Sequence, residues 1–98
     1  MKSTDTILRL TAPRELTAGD AAALRDSTKR RFTEEFTGID LDCALLEFID
    51  SGGLGALISL RKLTVQRGGA FRLLEPRPAV IQILELTRLH RIFEIVSA

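Results

Sequence analysis

Ile39, Leu41 and Cys43 alternate with Asp40 and Asp42, a period of two that buries one side of a strand and leaves the other wet. With one wet face, the sheet is expected to carry helices on its other face only. Upstream, Ile7 to Thr11 reads as a short strand that Pro13 keeps from pairing further, and Ala12 to Gly19 reads as a loop. From about Asp20 to Phe36, the residues Ala21, Leu24, Phe32 and Phe36 fall near helical spacing, with Arg25, Asp26, Lys29, Arg30 and Glu34 left for solvent. Leu46, Phe48 and Ile49 lead the chain back toward the core. Ser51 or Asp50 can then cap a helix from about Gly53 to Arg67, whose apolar stripe is Leu54, Leu57, Ile58 and Val65. Gly68 and Gly69 stop that helix, and Ala70 to Leu74 forms the next strand, closed by Pro76. Pro78 suits the first turn of a further helix, with Val80, Ile83, Leu84 and Thr87 on one side up to about Leu89. Ile92 to Val96 returns as a short strand or turn. Strands alternating with helices in this order predict right-handed crossovers between parallel neighbours in a two-layer α/β domain.

No repeat or low-complexity linker divides the 98 residues, so one domain over 1–98 is expected, with a polar and flexible N-terminal segment at 1–6. Fourteen basic residues against thirteen acidic ones leave a net charge of +1. No broad field therefore recruits nucleic acid or an anionic membrane, and any partner must be recognised by local shape. The one cysteine, Cys43, excludes an internal disulfide and is too few for a structural zinc site. It reads as a small core residue in a reducing compartment. No stretch is long and apolar enough to insert into a membrane, and Met1 to Thr6 is not signal-like, which points to the cytoplasm.

Candidate chemistry concentrates in Phe48 to Gly55, where an acidic residue, a hydroxyl and two glycines join an apolar segment to an amphipathic helix. The free N–H groups and positive dipole end of that helix favour an anion, whether a side-chain carboxylate or a phosphoryl group. Gly52 and Gly53 carry no side chains to hold another protein away, and Ser51 offers one hydroxyl. Arg77, in the rigid loop Glu75 to Pro78, lies at a strand end that could face Ser51. His90, between Arg88 and Arg91, reads as a surface histidine near a helix C-terminus. Neither a metal set nor a Cys–His pair can be assembled, the acids lack a partner base, and no phosphate loop is present, so no cofactor and no catalytic residue is expected.

Asp50-Ser51-Gly52-Gly53-Leu54-Gly55 resembles the Asp-Ser-Ser-Gly-Leu-Gly signature of STAS domains, a family that includes bacterial anti-sigma factor antagonists. The resemblance extends to Asp42 eight positions before Asp50, to Arg67-Gly68-Gly69, and to the ending Leu84 to Ile95, and covers roughly residues 7–96. It implies a mixed, mostly parallel sheet with helices packed on one face, and a non-enzymatic domain in the bacterial cytoplasm. The partner it implies is an anti-sigma factor with a kinase-like fold, met through Asp50, Ser51, Gly52, Gly53 and Leu54. Arg14 and Glu15 stand in the turn that flanks the signature helix in the family, and Arg77 completes the expected surface. In phosphorylated members the acceptor is the second serine of the signature. Gly52 occupies that place here, which leaves Ser51 as the hydroxyl that phosphorylation could reach. The alternative partner is the ATPase of a lipid-trafficking ABC transporter, whose STAS adaptor likewise has a hydroxyl residue followed by glycines. A stand-alone nucleotide or small-anion binder ranks third. Family members begin with a strand pair before the segment matching residues 7–11, so that edge is expected to be open to another chain, a second copy included.

Overall fold

A computed structural model describes residues 6–97. The expected polar segment at 1–6 lies outside them except for Thr6. Five elements fall close to where the hydrophobic pattern put them: the strands β1 (Ile7–Thr11), β3 (Gly38–Asp42) and β5 (Phe71–Leu74), and the helices α2 (Ser51–Gln66) and α3 (Pro78–Leu86). Between them stand β2 (Glu15–Leu16), α1 (Ala18–Arg31) and β4 (Phe48–Ile49), and the chain ends in a 3-10 turn, Leu89–Arg91, and β6 (Glu94–Val96). The main sheet runs β1-β3-β5-β6, and every ladder among the described residues is parallel. β1 forms an edge, paired only with β3 among those residues.

In a parallel ladder, partners at matched register project from the same face, so the sheet can be read in rows. Leu8, Ile39 and Phe71 make one row, and Leu10, Leu41, Leu73 and Ile95 the next. All but Ile95 are fully or nearly buried, and they form the core with Leu57 and Leu60 of α2 and Val80 and Leu84 of α3. The opposite face carries Arg9, Asp40, Arg72 and Glu94 across four strands, alternating in sign. Asp40 is not wet, as the alternation alone predicts, but only 8% exposed. Arg72 on the neighbouring strand covers it, donating from Nε and Nη2 at 2.8 and 2.7 Å in a two-pronged ion pair that local sequence does not reveal.

Three further expectations are corrected. α1 begins two residues early and ends at Arg31, so Phe32 and Phe36 pack on the core from a turn rather than from a helix. That turn is pinned by Arg67, whose guanidinium stacks 4.1 Å over the Phe32 ring and donates to the carbonyls of Phe32, Thr33 and Phe36. Val65 is 52% exposed, and the buried side of α2 is Gly53, Ala56, Leu57, Leu60 and Thr64. Phe48 is 51% exposed instead of returning to the core, because the inward positions around it are Leu46 and Ile49. Cys43 is buried as expected, and loss of solvent, aided by the charge of Asp42, pushes its thiol pKa up to about 12.

Candidate functional site

The Ala12 to Gly19 segment is not simply a loop. Glu15 and Leu16 pair in parallel with Phe48 and Ile49, forming a second, two-stranded sheet. The Arg14 carbonyl accepts from the N–H groups of Glu47 and Phe48, and the Leu16 carbonyl accepts from Asp50 N–H at 3.3 Å. Each strand of this ribbon runs directly into a helix, β2 into α1 and β4 into α2. The ribbon therefore sets the two helix starts side by side.

Asp50 joins them. Its Oδ1 accepts the N–H of Gly53 in α2 at 2.9 Å, and its Oδ2 accepts the N–H of Ala18 in α1 at 3.2 Å. Of the two capping candidates in the sequence, Asp50 is the one used, and it caps both helices. The N–H of Gly53 is the main cause that holds its carboxyl below the usual aspartate range; partial burial opposes this, and the N–H groups of Ala18 and Gly52 reinforce it. Thr17 closes the α1 end from the other side, its N–H and Oγ1 donating to Asp20 Oδ2 at 3.3 and 3.0 Å. The anion these dipoles attract is thus a carboxylate of the chain itself, which uses the amides that a free phosphate would need.

The expected surface residues separate into two groups. Ser51 is exposed, with no hydrogen bond to its hydroxyl among the described residues; Arg14 and Glu15 are exposed, and Gly52 and Leu54 are half-buried. Gly53 belongs inside instead: it is buried, its amide is taken, and a Cβ there would lie 2.0 Å from the Leu16 carbonyl oxygen. Gly52 is nearly as tight, since a Cβ would meet Cα of Ala18 at 2.5 Å. These glycines let two backbones of the same molecule approach each other, rather than clearing room for a partner. Arg77 is exposed but is tied to the β3–β4 loop, its Nε donating to the Ala44 carbonyl at 2.8 Å, and no hydrogen bond joins it to Asp50 or Ser51. His90 is exposed, with Nδ1 3.4 Å from the Leu84 carbonyl.

Sequence reasoning missed Phe48, Leu45 and Ala18. Phe48 and Leu45 are 51% and 50% exposed, large apolar side chains within six residues of the Asp50 cap. The signal was present in the period of two, because with Ile49 inward its neighbours Phe48 and Asp50 both point outward. Ala18 could not be found in this way, since its link to Asp50 spans 32 residues. Among the described residues no group of three or more potential metal ligands gathers, and no helix is long and apolar enough to cross a membrane.

The STAS domain family model matches residues 1–98. Among solved structures, the NMR structure of TM1081 superposes with a TM-score of 0.83 and 30% identity, covering 99% of this chain and 78% of that one. The crystal structure of TM1081, described as a candidate anti-sigma factor antagonist from Thermotoga maritima, gives 0.81 and 28% over 91% of this chain and 78% of that one. The unphosphorylated anti-sigma factor antagonist SpoIIAA shares the fold, with a TM-score of 0.69 and 22% identity over the whole of this chain and 84% of its own. No curated protein matches the chain.

Proposed function

Since the chain belongs to the STAS domain family, and resembles its anti-sigma factor antagonists in sequence and fold, we propose that it is a non-enzymatic bacterial cytoplasmic domain that binds an anti-sigma factor of kinase-like fold. The surface used is the joined start of α1 and α2: Ser51, Leu54 and the exposed side of Gly52, flanked by Arg14 and Glu15 and anchored by Phe48. One observation carries this reading. The carboxylate of Asp50 holds two helix starts together while the hydroxyl beside it is exposed and without a hydrogen bond among the described residues, a rigid and polar platform with an aromatic side chain at its margin.

Position 52, which matches the family's phospho-acceptor, has no hydroxyl and no room for one while Ala18 stays in place. Control by phosphate at that position is therefore absent, and Ser51 is the hydroxyl open to a kinase. A phosphoryl group there would meet the charge of Asp50 at close quarters, which weakens rather than strengthens the platform.

The test mixes the purified domain with the kinase-like anti-sigma factors of the same genome and follows binding by calorimetry, with intact mass read after incubation with ATP. Micromolar or tighter binding is expected, weakened at least tenfold by Phe48→Ala and by Ser51→Asp. Absence of binding, or binding indifferent to both substitutions, rejects the proposal. Selective capture of an ABC-transporter ATPase would identify the adaptor role in its place.

A further inference from the structure

α1 and α2 lie side by side from their shared cap onward. About two turns along each, their outer surfaces enclose a groove of about 280 Å³ lined by Arg25 and Lys29 of α1 and by Ser59, Leu60, Lys62 and Leu63 of α2. Arg25 and Lys29 are four residues apart on one helix, and Ser59, Lys62 and Leu63 are three and four apart on the other, so each set shares a face. Leu60 is fully buried beneath the groove and Leu63 partly so. Ser59 donates to the Gly55 carbonyl and keeps its oxygen lone pairs. None of the three cations takes part in an ion pair among the described residues, and no acidic residue lines the groove.

The composition and the size point to the same occupant. Three unpaired positive charges around an apolar floor complement carboxylates that bracket an apolar side chain. The groove is open to solvent along one side, and its volume stands at the lower edge of the roughly 300–1,000 Å³ of sites that enclose a small molecule or cofactor. It suits one or two side chains projecting from a larger surface. Seven residues separate Ala18 from Arg25 and eight separate Ser51 from Ser59, which at about 1.5 Å per residue puts the groove about 10–12 Å from the helix starts. That lies within the span of a protein interface of ordinary size.

We infer that this groove is a second contact on the partner protein, one that takes an acidic segment presenting carboxylates about one helical turn apart around an apolar residue. The inference extends the docking surface proposed above from the ends of α1 and α2 along their length. It gives the chain a means of selecting partners by charge although its own net charge is only +1.

The experiment uses a synthetic amphipathic peptide with glutamates four residues apart around a leucine, titrated into the isotopically labelled domain with backbone amide shifts recorded. Shifts are expected to centre on Arg25, Lys29, Ser59, Lys62 and Leu63, and to fall at least fivefold in apparent affinity between low and moderate salt. Replacing the glutamates by glutamines, or making the Arg25→Gln, Lys62→Gln double variant, should weaken binding at least tenfold. Equal binding of the glutamine peptide, shifts spread over the whole surface, or saturation of the same amides by inorganic phosphate or anionic vesicles alone would overturn the inference. The peptide needs no anti-sigma factor, so its result stands apart from that of the calorimetric assay. Conversely, an anti-sigma factor bound through Phe48 but unaffected by the double variant removes the groove and leaves the platform.

Discussion

Three glycines of α2 sit within four residues of one another and face three different surroundings, so alanine at each should give three different results. At Gly53 the added Cβ would lie 2.0 Å from the Leu16 carbonyl oxygen and 2.7 Å from Ile49 Cγ1. Ordinary carbon–oxygen contact begins at about 3.3 Å, so about 1.3 Å of backbone movement is required. Leu16 is fully buried and its carbonyl accepts Asp50 N–H. Moving it pulls β2 from β4 and loosens the double cap. Overpacking against backbone costs about 3 kcal/mol, and alanine's better helix propensity returns up to about 1 kcal/mol, leaving a net loss of about 2 kcal/mol. For a chain of this length that is about 8–16 °C in Tm. At Gly52 the obstacle is Ala18, the first and exposed residue of α1, which can retreat at the expense of its bond to Asp50. A smaller loss of about 1 kcal/mol is expected, with faster hydrogen exchange at the Ala18 amide. At Gly55 nothing lies within 4 Å, so alanine should stabilise by about 0.5–1 kcal/mol. Urea unfolding at 25 °C followed by circular dichroism measures all three. If Gly53→Ala unfolds within about 0.5 kcal/mol of the parent, or Gly55→Ala loses as much as Gly52→Ala, the close approach of the two helix starts is not what fixes these glycines.

Asp50 has a folded pKa below its ordinary value, so its stabilising effect is complete above about pH 3.9 and is lost as the pH falls through the lower folded value. The urea midpoint of Asp50→Asn should therefore approach that of the parent as the pH is taken from 6 to below 3, and a constant gap would contradict the assignment. Arg72→Ala removes both the cover and the partner of Asp40, so water can reach the carboxylate; with the Arg72 side chain 38% exposed, the loss should be about 1 kcal/mol, and a double-mutant cycle with Asp40→Ala should show coupling no larger than that. Cys43, with its thiol pushed up to about 12, should resist alkylation at pH 8 in the native state and react once the domain is unfolded in urea; rapid native labelling would place it at the surface.

Much of the architecture is local in origin and was legible for that reason. The strands β1, β3 and β5 announce themselves by alternation or apolar runs, and Gly68, at φ +75°, ends α2 where the sequence suggests. What could not be read are the links between distant segments. α1 stops five residues before Phe36 because the following turn gives its carbonyls to Arg67, a residue more than thirty positions away. Asp40 is buried because register sets Arg72 beside it. The site divides in the same way. Asp50 as a cap was visible from its place before α2, but its second helix, and with it the internal use of Gly52 and Gly53, depends on the pairing of Glu15–Leu16 with Phe48–Ile49, segments more than thirty positions apart.

The Arg67 contact has a consequence for how the domain meets another molecule. Asp50 fastens α1 to α2 at their beginnings, and Arg67, just past the end of α2, fastens the turn that follows α1. A helix pair stapled at both extremities cannot hinge or slide as a unit. Association should then proceed as the meeting of two preformed shapes, with little backbone freedom surrendered on contact, and any off-switch must act by steric or electrostatic obstruction at the rim instead of by a change of helix angle.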